Sequence, residues 1–491
     1  MKKIVYLPLD ERPCNYDFPY LVTENSDKVR VVRPPLELMG KKKQPANTDA
    51  LSDFVIRECA DADYLILALD TLLYGGIIPS RLHRLDVELL RERLGALRRI
   101  RLANPKVKIS VFSLIMRCPC YSDSAEEPDY YDECGMEIFL WGQNEHRRRL
   151  GEITEAEYEE KKRELSPCFD YIGDYESRRK VNLTLLLDAL TVVGECDGEF
   201  TILQDDSNAR GYTAMDREEV LSFVKAHGLH LDTYPGADEA GMTLLSRAVS
   251  YLEGKTPKIY VSYPRADACE VTPIYEDRAI KHTVSAQIQS SGAIECADEA
   301  EADFTLYINL NDERTYDVYL SPTTQTDESY IPGFASGIAG ALADGRGAAV
   351  ADVAYCNAGD LTLVRELAKR INVLDLWGYA GWNTSSNTLG TVICQAVIRC
   401  LYGDTELHRA FTARRLIDDA VYSAEVRPQI KSEYLGREGD TDLAEMVRRI
   451  NEATAEMLPS VAEKYEVTEC KLPWNRLFEI GIKIEEKDYE A

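Results

Sequence analysis

The sequence predicts an α/β protein built on a mostly parallel sheet, on three observations. Strand-like and helix-like segments alternate from the first residues onward. The strand segments, 4–9 and 64–69 among them, are unbroken apolar runs, as expected where helices cover both faces of a sheet. Most of these runs end in a polar cluster. The preferred architecture is a TIM-like β/α barrel over residues 1–255. A second α/β segment, 256–400, either completes the barrel or forms a doubly wound domain beside it. A C-terminal helical extension with a final strand takes 401–491. A length of 491 residues asks for two or three domains.

In order, strand 4–9 ends in Asp10-Glu11-Arg12-Pro13, and a short candidate at 29–32 is stopped by Pro34-Pro35. Strand 64–69 leads into Asp70-Thr71 and Tyr74-Gly75-Gly76. Residues 86–103 read as one helix, with Val87, Leu90, Leu94 and Leu97 on one face and Asp86 as its cap. Strand 108–114 ends in Met116-Arg117-Cys118. A long charged helical region, 136–165, is a lid or cap on a site, and helix 178–193 follows. Strand 200–203 ends in Gln204-Asp205-Asp206-Ser207-Asn208. Helix 213–226 opens with Thr213 and Asp216 as a capping-box variant.

A strand at 229–231 leads to Asp238-Glu239, before helix 240–253. The later strands are 258–263, then 304–308 ending in Asn309-Leu310-Asn311-Asp312, 348–353 and 373–376. Behind the last two come Asn357 to Asp360 and Tyr379 to Asn387. Helices then dominate to about residue 464, and a strand at 477–484 closes the chain.

Lys and Arg number 57 against 84 Asp and Glu, a net charge of −27. Such a surface repels phosphate backbones and anionic lipid, so no nucleic-acid partner is expected. The apolar run at 4–7 is too short for a signal segment, and no stretch of about 18 apolar residues exists to span a membrane. The 13 cysteines, odd in number and dispersed, read as reduced thiols of a cytoplasmic protein. Cys118-Pro119-Cys120, with Cys134 beyond, lacks the second pair or the histidines that zinc needs.

Ligands of parallel α/β folds bind beyond the carboxyl ends of the strands, where packing does not explain a polar residue. Here Asp10, Asp70, Asp205-Asp206, Asp238-Glu239 and Asp360 occupy such ends. Each alone is an ordinary helix cap; together they suggest a carboxylate-lined site, in which like charges raise one another's pKa or recruit a cation. The Asp205-Asp206 doublet suits general acid/base work, Asp206 as proton donor and Asp205 as the orienting group. An Asx turn completed by Ser207-Asn208 is the bland reading. Arg12, Tyr74, Arg117, Asn357, Tyr379, Trp382 and Asn383 join Asp10, Asp70, Asp238, Glu239 and Asp360 as substrate-binding candidates. Aromatic faces beside amides suit a polyhydroxylated ligand, although core aromatics beside a capped helix explain Tyr379 to Thr388 equally well. No Gly-x-Gly-x-x-Gly follows the first strand, and neither a phosphate loop nor a nucleophile elbow is present.

Four motifs resemble a bacterial family known as domain-of-unknown-function 4127, and the likeness covers nearly the whole chain. They are Val5 to Pro13, Leu69 to Gly76, Gln204 to Ser207 and Tyr379 to Thr384. The resemblance implies a full-length enzyme or binding protein and carries no assigned activity. The Asp-Asp pair after a strand is also similar to the O-GlcNAcase type of hexosaminidase, where the substrate's acetamido group is the nucleophile and two aspartates assist.

The expected function is therefore hydrolysis of a glycoside or amino-sugar derivative, with a small-molecule or carbohydrate substrate and no cofactor. The alternatives are a hydrolase or sugar isomerase in which the carboxylates hold Mg²⁺ or Mn²⁺, and a non-catalytic sugar-binding protein.

Overall fold

The computed structural model describes residues 1–310, 316–319, 328–434, 437 and 440–487. Asn311 and Asp312, expected at a strand end, lie outside the described residues. The fold is mixed α/β with mostly parallel sheets, in two compact units. The first comprises residues 1–11, 31–241 and 275–277; the second comprises 12–30, 242–274 and 278–491.

The first sheet holds β1 (Lys2–Leu7), β2 (Val29–Val32), β3 (Tyr64–Ala68), β4 (Lys108–Ile115), β5 (Glu199–Gln204) and β6 (Asp232–Pro235), in the order β2-β1-β3-β4-β5-β6. The pairs β1–β3, β3–β4, β4–β5 and β5–β6 are parallel. All five residues of β3 are buried, which explains why its sequence shows no alternation.

The second unit holds β7 (Lys258–Ser262), β8 (Ile294–Glu295), β9 (Phe304–Asn309), β10 (Tyr316–Asp317), β11 (Gly347–Asp352), β12 (Tyr355–Cys356) and β13 (Gly378–Ala380). Its main sheet runs β13-β11-β9-β7-β8 with parallel pairs, while β10 and β12 form a small parallel ladder. Read from the β8 edge, this is strand order 2-1-3-4-5, and the first sheet has the same order with a sixth strand added. That order belongs to doubly wound sheets, whose ligand crevice lies where the winding reverses, between the first and third strands. The chain closes with β14 (Tyr465–Lys471) and β15 (Gly481–Glu486), an antiparallel pair.

Several local expectations are corrected. Helix 86–103 is two helices, Val87–Leu94 and Ala96–Ala103, parted at Gly95, where a helix is weakest. Asp86 caps the first of them, accepting from Leu89 N at 2.8 Å. The region 136–165 is likewise two helices, Tyr131–Arg149 and Glu155–Glu164, the second opened by a Thr154/Glu157 capping box. Thr213 and Asp216 form no such box: Gly211 precedes the helix, and Asp216 instead pairs with Arg179.

The strand expected at 229–231 lies at 232–235. That expected at 373–376 is a 3₁₀ turn, Val373–Asp375, started by the Asn372 side chain, with β13 following. The final strand begins at Gly481, paired with β14 inside the expected helical extension. Thirteen reduced thiols were the expectation, but Cys134 and Cys168 are disulfide-bonded, with Cα atoms 6.0 Å apart. Their 34-residue separation gives no sequence signal of pairing. Among the described residues, no helix is long and apolar enough to cross a membrane.

Candidate functional site

In the first unit, the helix Leu69–Tyr74 follows β3 directly, and Thr71 Oγ1 donates to the carbonyls of Pro8 and Leu9, both at 2.7 Å. This ties the end of β1 to the end of β3. Gly75 ends that helix at φ +88°, where a Cβ would lie 2.6 Å from Ala46 N. The chain re-enters a helix, Ile77–Leu82, that carries Arg81. Asn182 Nδ2 holds the Ser80 carbonyl at 2.8 Å, fixing that turn. At the end of β4, Tyr175 Oη donates to the Arg117 carbonyl at 2.6 Å and Arg179 Nη1 to the Met116 carbonyl at 2.6 Å.

These anchors aim two buried guanidinium groups at the end of β5. Arg81 Nη2 donates to Asp205 Oδ2 at 2.6 Å, and Arg117 Nη1 to Asp206 Oδ2 at 3.0 Å. Glu126 and Glu127, from the loop after β4, share both arginines: Arg117 Nε reaches Glu127 Oε1 at 2.7 Å and Arg117 Nη2 reaches Glu126 Oε2 at 3.1 Å. Arg81 Nη1 lies 3.3 Å from Glu126 and 3.4 Å from Glu127. Four carboxylates thus meet two cations. Asp206 sits at φ +43°, a backbone region costly for any residue but glycine and tolerated best by Asn and Asp.

Burial first, and then the charge of Asp206, pushes the Asp205 carboxyl up to about 6, against the pull of Arg81 and Arg117; Asp238 adds to the rise. Asp70 is also pushed up to about 6 by burial, although its Oδ2 accepts from Ser113 Oγ at 2.8 Å and Leu114 N at 3.2 Å. Tyr74 stacks on His83 with ring centres 4.6 Å apart, its phenol raised by burial. Leu69, Asp70, Tyr74, Arg81, Arg117 and Asp205 enclose a cavity of about 20 Å³. Asp10, Asp238 and Glu239 are buried, with Glu239 Oε2 accepting from Ala237 N at 3.0 Å.

The remaining candidates belong to the second unit. Asp360 caps the helix Leu361–Ala368, accepting from Thr362 N at 2.9 Å and Leu363 N at 3.3 Å, so the capping reading accounts for it. Tyr379 and Trp382 do not offer open faces. Tyr379 is fully buried and donates to Asp352 Oδ2 at 2.9 Å. Trp382 packs edge-on against Phe18, its Nε1 bonded to Thr391 Oγ1 at 3.2 Å. Asn357 and Asn383 both have positive φ, and Asn357 N donates to the Asn383 carbonyl at 2.8 Å. Arg12 pairs with Glu479 at 3.2 Å and lies over the Trp474 ring.

Sequence reasoning missed Arg81, Glu126 and Glu127 in the first unit, and Asp352, Arg415, Asp418 and Asp419 in the second. Asp352 takes bonds from Asn309 Nδ2 at 2.8 Å and Asp360 N at 2.7 Å; burial, then the charge of Asp360, raises its carboxyl. Asp418-Asp419 repeats the Asp-Asp doublet, but in a helical stretch where charge reads as a solvated face. It lies in a π-helical segment, Leu416–Val426, a rare geometry concentrated at functional sites. Among the described residues, no group of three or more His, Cys, Asp or Glu side chains could hold a metal ion.

The profile of a family described as protein of unknown function (DUF4127) matches residues 4–483. No curated protein and no solved structure matches the chain.

Proposed function

We propose that this chain, which belongs to the DUF4127 family, is a hydrolase of a glycoside or amino-sugar derivative whose acid/base centre is the Asp205-Asp206 pair. The observation that carries the reading is the Asp205 carboxyl, part-buried at a strand end and pushed up to about 6 beside a second aspartate. A carboxyl still partly protonated near neutrality can hand its proton to a leaving oxygen. The roles expected from sequence are thereby exchanged: Asp205 is the acid, and Asp206, paired with Arg117, fixes the charge beside it.

The proton passes from Asp205 to the glycosidic oxygen, which keeps the electron pair of the breaking C–O bond. A water then adds its oxygen to the sugar carbon and returns a proton to Asp205, so one water is consumed. In an amino sugar, the substrate's own acetamido oxygen can attack first. A cavity of about 20 Å³ is far smaller than a sugar ring, so the substrate meets Asp205 from the rim, where the Asp206 and Glu126 side chains keep 21% and 17% exposure. The reading needs neither closure of the sheet into a barrel nor a metal, since Arg81 and Arg117 already occupy the carboxylates. The free thiols support a cytoplasmic setting, and the Cys134–Cys168 bond is the observation against it.

The test is a panel of nitrophenyl glycosides of hexoses and N-acetylhexosamines. Asp205→Asn should cut turnover of an unactivated glycoside by about 10²–10⁴-fold, with recovery on a dinitrophenyl leaving group that needs no proton. No hydrolysis anywhere in the panel by the unmodified chain would discard the reaction class. A non-catalytic sugar-binding role is favoured by one observation, the engagement of both aspartates by arginines. Sugar binding without product would select it.

A further inference from the structure

We propose that the second unit carries a separate binding site for a small hydroxylated carboxylate, seated on Arg415, Arg427 and Asn357. The site is independent of the hydrolase reading, which rests on the first unit alone.

A cavity of about 30 Å³ is lined by these three residues together with Trp382, Asp418 and Ser423. It shares Pro13, Phe18, Asp418 and Ile480 with a neighbouring cleft of about 300 Å³. The cleft reaches the lower end of the size range of small-molecule pockets, about 300–1,000 Å³.

The polar atoms at the inner end are unbalanced. Arg415 is 1% exposed; its Nη2 donates to Asp418 Oδ2 at 2.8 Å and also to Asp419, while its buried Nη1 has no acceptor. Arg427, 2% exposed, donates to the carbonyls of Phe478 and Asn357 and lies over the Tyr319 ring. Among the described residues no carboxylate pairs with it. Buried guanidinium groups are normally matched by an anion. The inner cavity therefore keeps one guanidinium N–H, Arg415 Nη1, without an acceptor.

One acceptor is also open: Asn357 Oδ1 is buried without a donor, while its Nδ2 is spent on Asp317 at 3.0 Å. A ligand that satisfies all of these atoms brings a carboxylate to Arg415 and a hydroxyl hydrogen to Asn357. Asp418 and Glu479 on the same wall disfavour a second negative charge on the ligand, which selects a monoanion over a phosphate dianion. The π-helical segment that carries Arg415's partners also carries Ser423, which lines this wall.

The experiment measures binding of glycolate, acetate, glycolamide and inorganic phosphate to the full chain at constant ionic strength, by calorimetry and thermal shift. Glycolate should bind and raise the melting temperature, acetate should bind about tenfold more weakly, and glycolamide should not bind. Removing Arg415 risks the fold, because it bridges two buried aspartates. The variants are therefore Asn357→Asp, which adds a repelling charge, and Ser423→Leu, which fills the cavity. Loss of the glycolate response in both, with far-ultraviolet circular dichroism unchanged, supports the site. Four outcomes overturn it: no glycolate binding to the unmodified chain, glycolamide or phosphate binding as tightly as glycolate, acetate matching glycolate, or a response undiminished in the variants.

Discussion

Asp205 and Asp206 are adjacent in the chain but differ in partner, and that difference separates their roles. Asp205 faces Arg81, and its carboxyl is raised because burial and the Asp206 charge outweigh the guanidinium. If Asp205 is the acid, activity is present below its value of about 6 and falls as pH rises through it. Asp206→Asn removes the neighbouring charge and should lower that value, moving the alkaline limb of the kcat/KM profile to more acid pH by about one unit. Arg81→Gln removes a charge that favours the carboxylate and should move the limb the other way. Two pH–rate profiles check the pair, and shifts of the same sign would remove Asp205 from the role of acid. The doublet itself was legible in sequence. Arg81 was not, because its partner lies 124 residues away and an arginine on a short helix carries no local mark of an ion pair.

Secondary structure was most legible where burial is complete. The central strands β1, β3, β4 and β5 are apolar runs buried almost throughout, and their ends were placed to within about two residues. The outer strands β6 and β13 are only four and three residues long, and a more apolar stretch just before each attracts the assignment. In β14 the buried residues do alternate with exposed ones at Tyr465, Glu466 and Val467, but the strand follows directly on two helices, Leu443–Met457 and Pro459–Lys464, whose period masks its own. In the Gly75-Gly76 pair, Gly75 has a specific duty. Gly75 must hold φ +88° while packed against Ala46. Gly75→Ala should therefore destabilise the chain by at least about 1 kcal/mol, through strain and a backbone clash together. Urea unfolding measures this, and an unchanged midpoint would show that the turn relaxes freely. Because the same turn leads into the helix bearing Arg81, the variant should also lose activity on the glycoside panel.

Across the molecule, acid groups are held in the interior of both units. Burial raises the carboxyls of Asp70, Asp205, Asp352 and Asp418, to about 6 or 7, against an ordinary value of 3.8. Between those limits the folded chain binds protons that the unfolded chain does not. Lowering the pH from about 7 to about 4 therefore favours the fold at these positions, and raising it has the opposite effect. The net charge of −27 acts in the same direction, since protonation relieves repulsion. Carboxylates held below their ordinary value by surface partners, such as Glu58 beside Lys3 and Glu445 beside Arg448, oppose this only as pH falls further, through their lowered values. Stability should thus peak on the acid side of neutrality, near pH 5, and exceed that at pH 8 by an amount on the order of a few kcal/mol. Thermal unfolding across pH 4–9 tests this. Asp352→Asn removes one buried charge, so its curve should be flatter between pH 5 and 8 than that of the unmodified chain. A maximum above pH 7, or curves that run parallel, would mean that these carboxylates keep their ordinary affinities inside the fold.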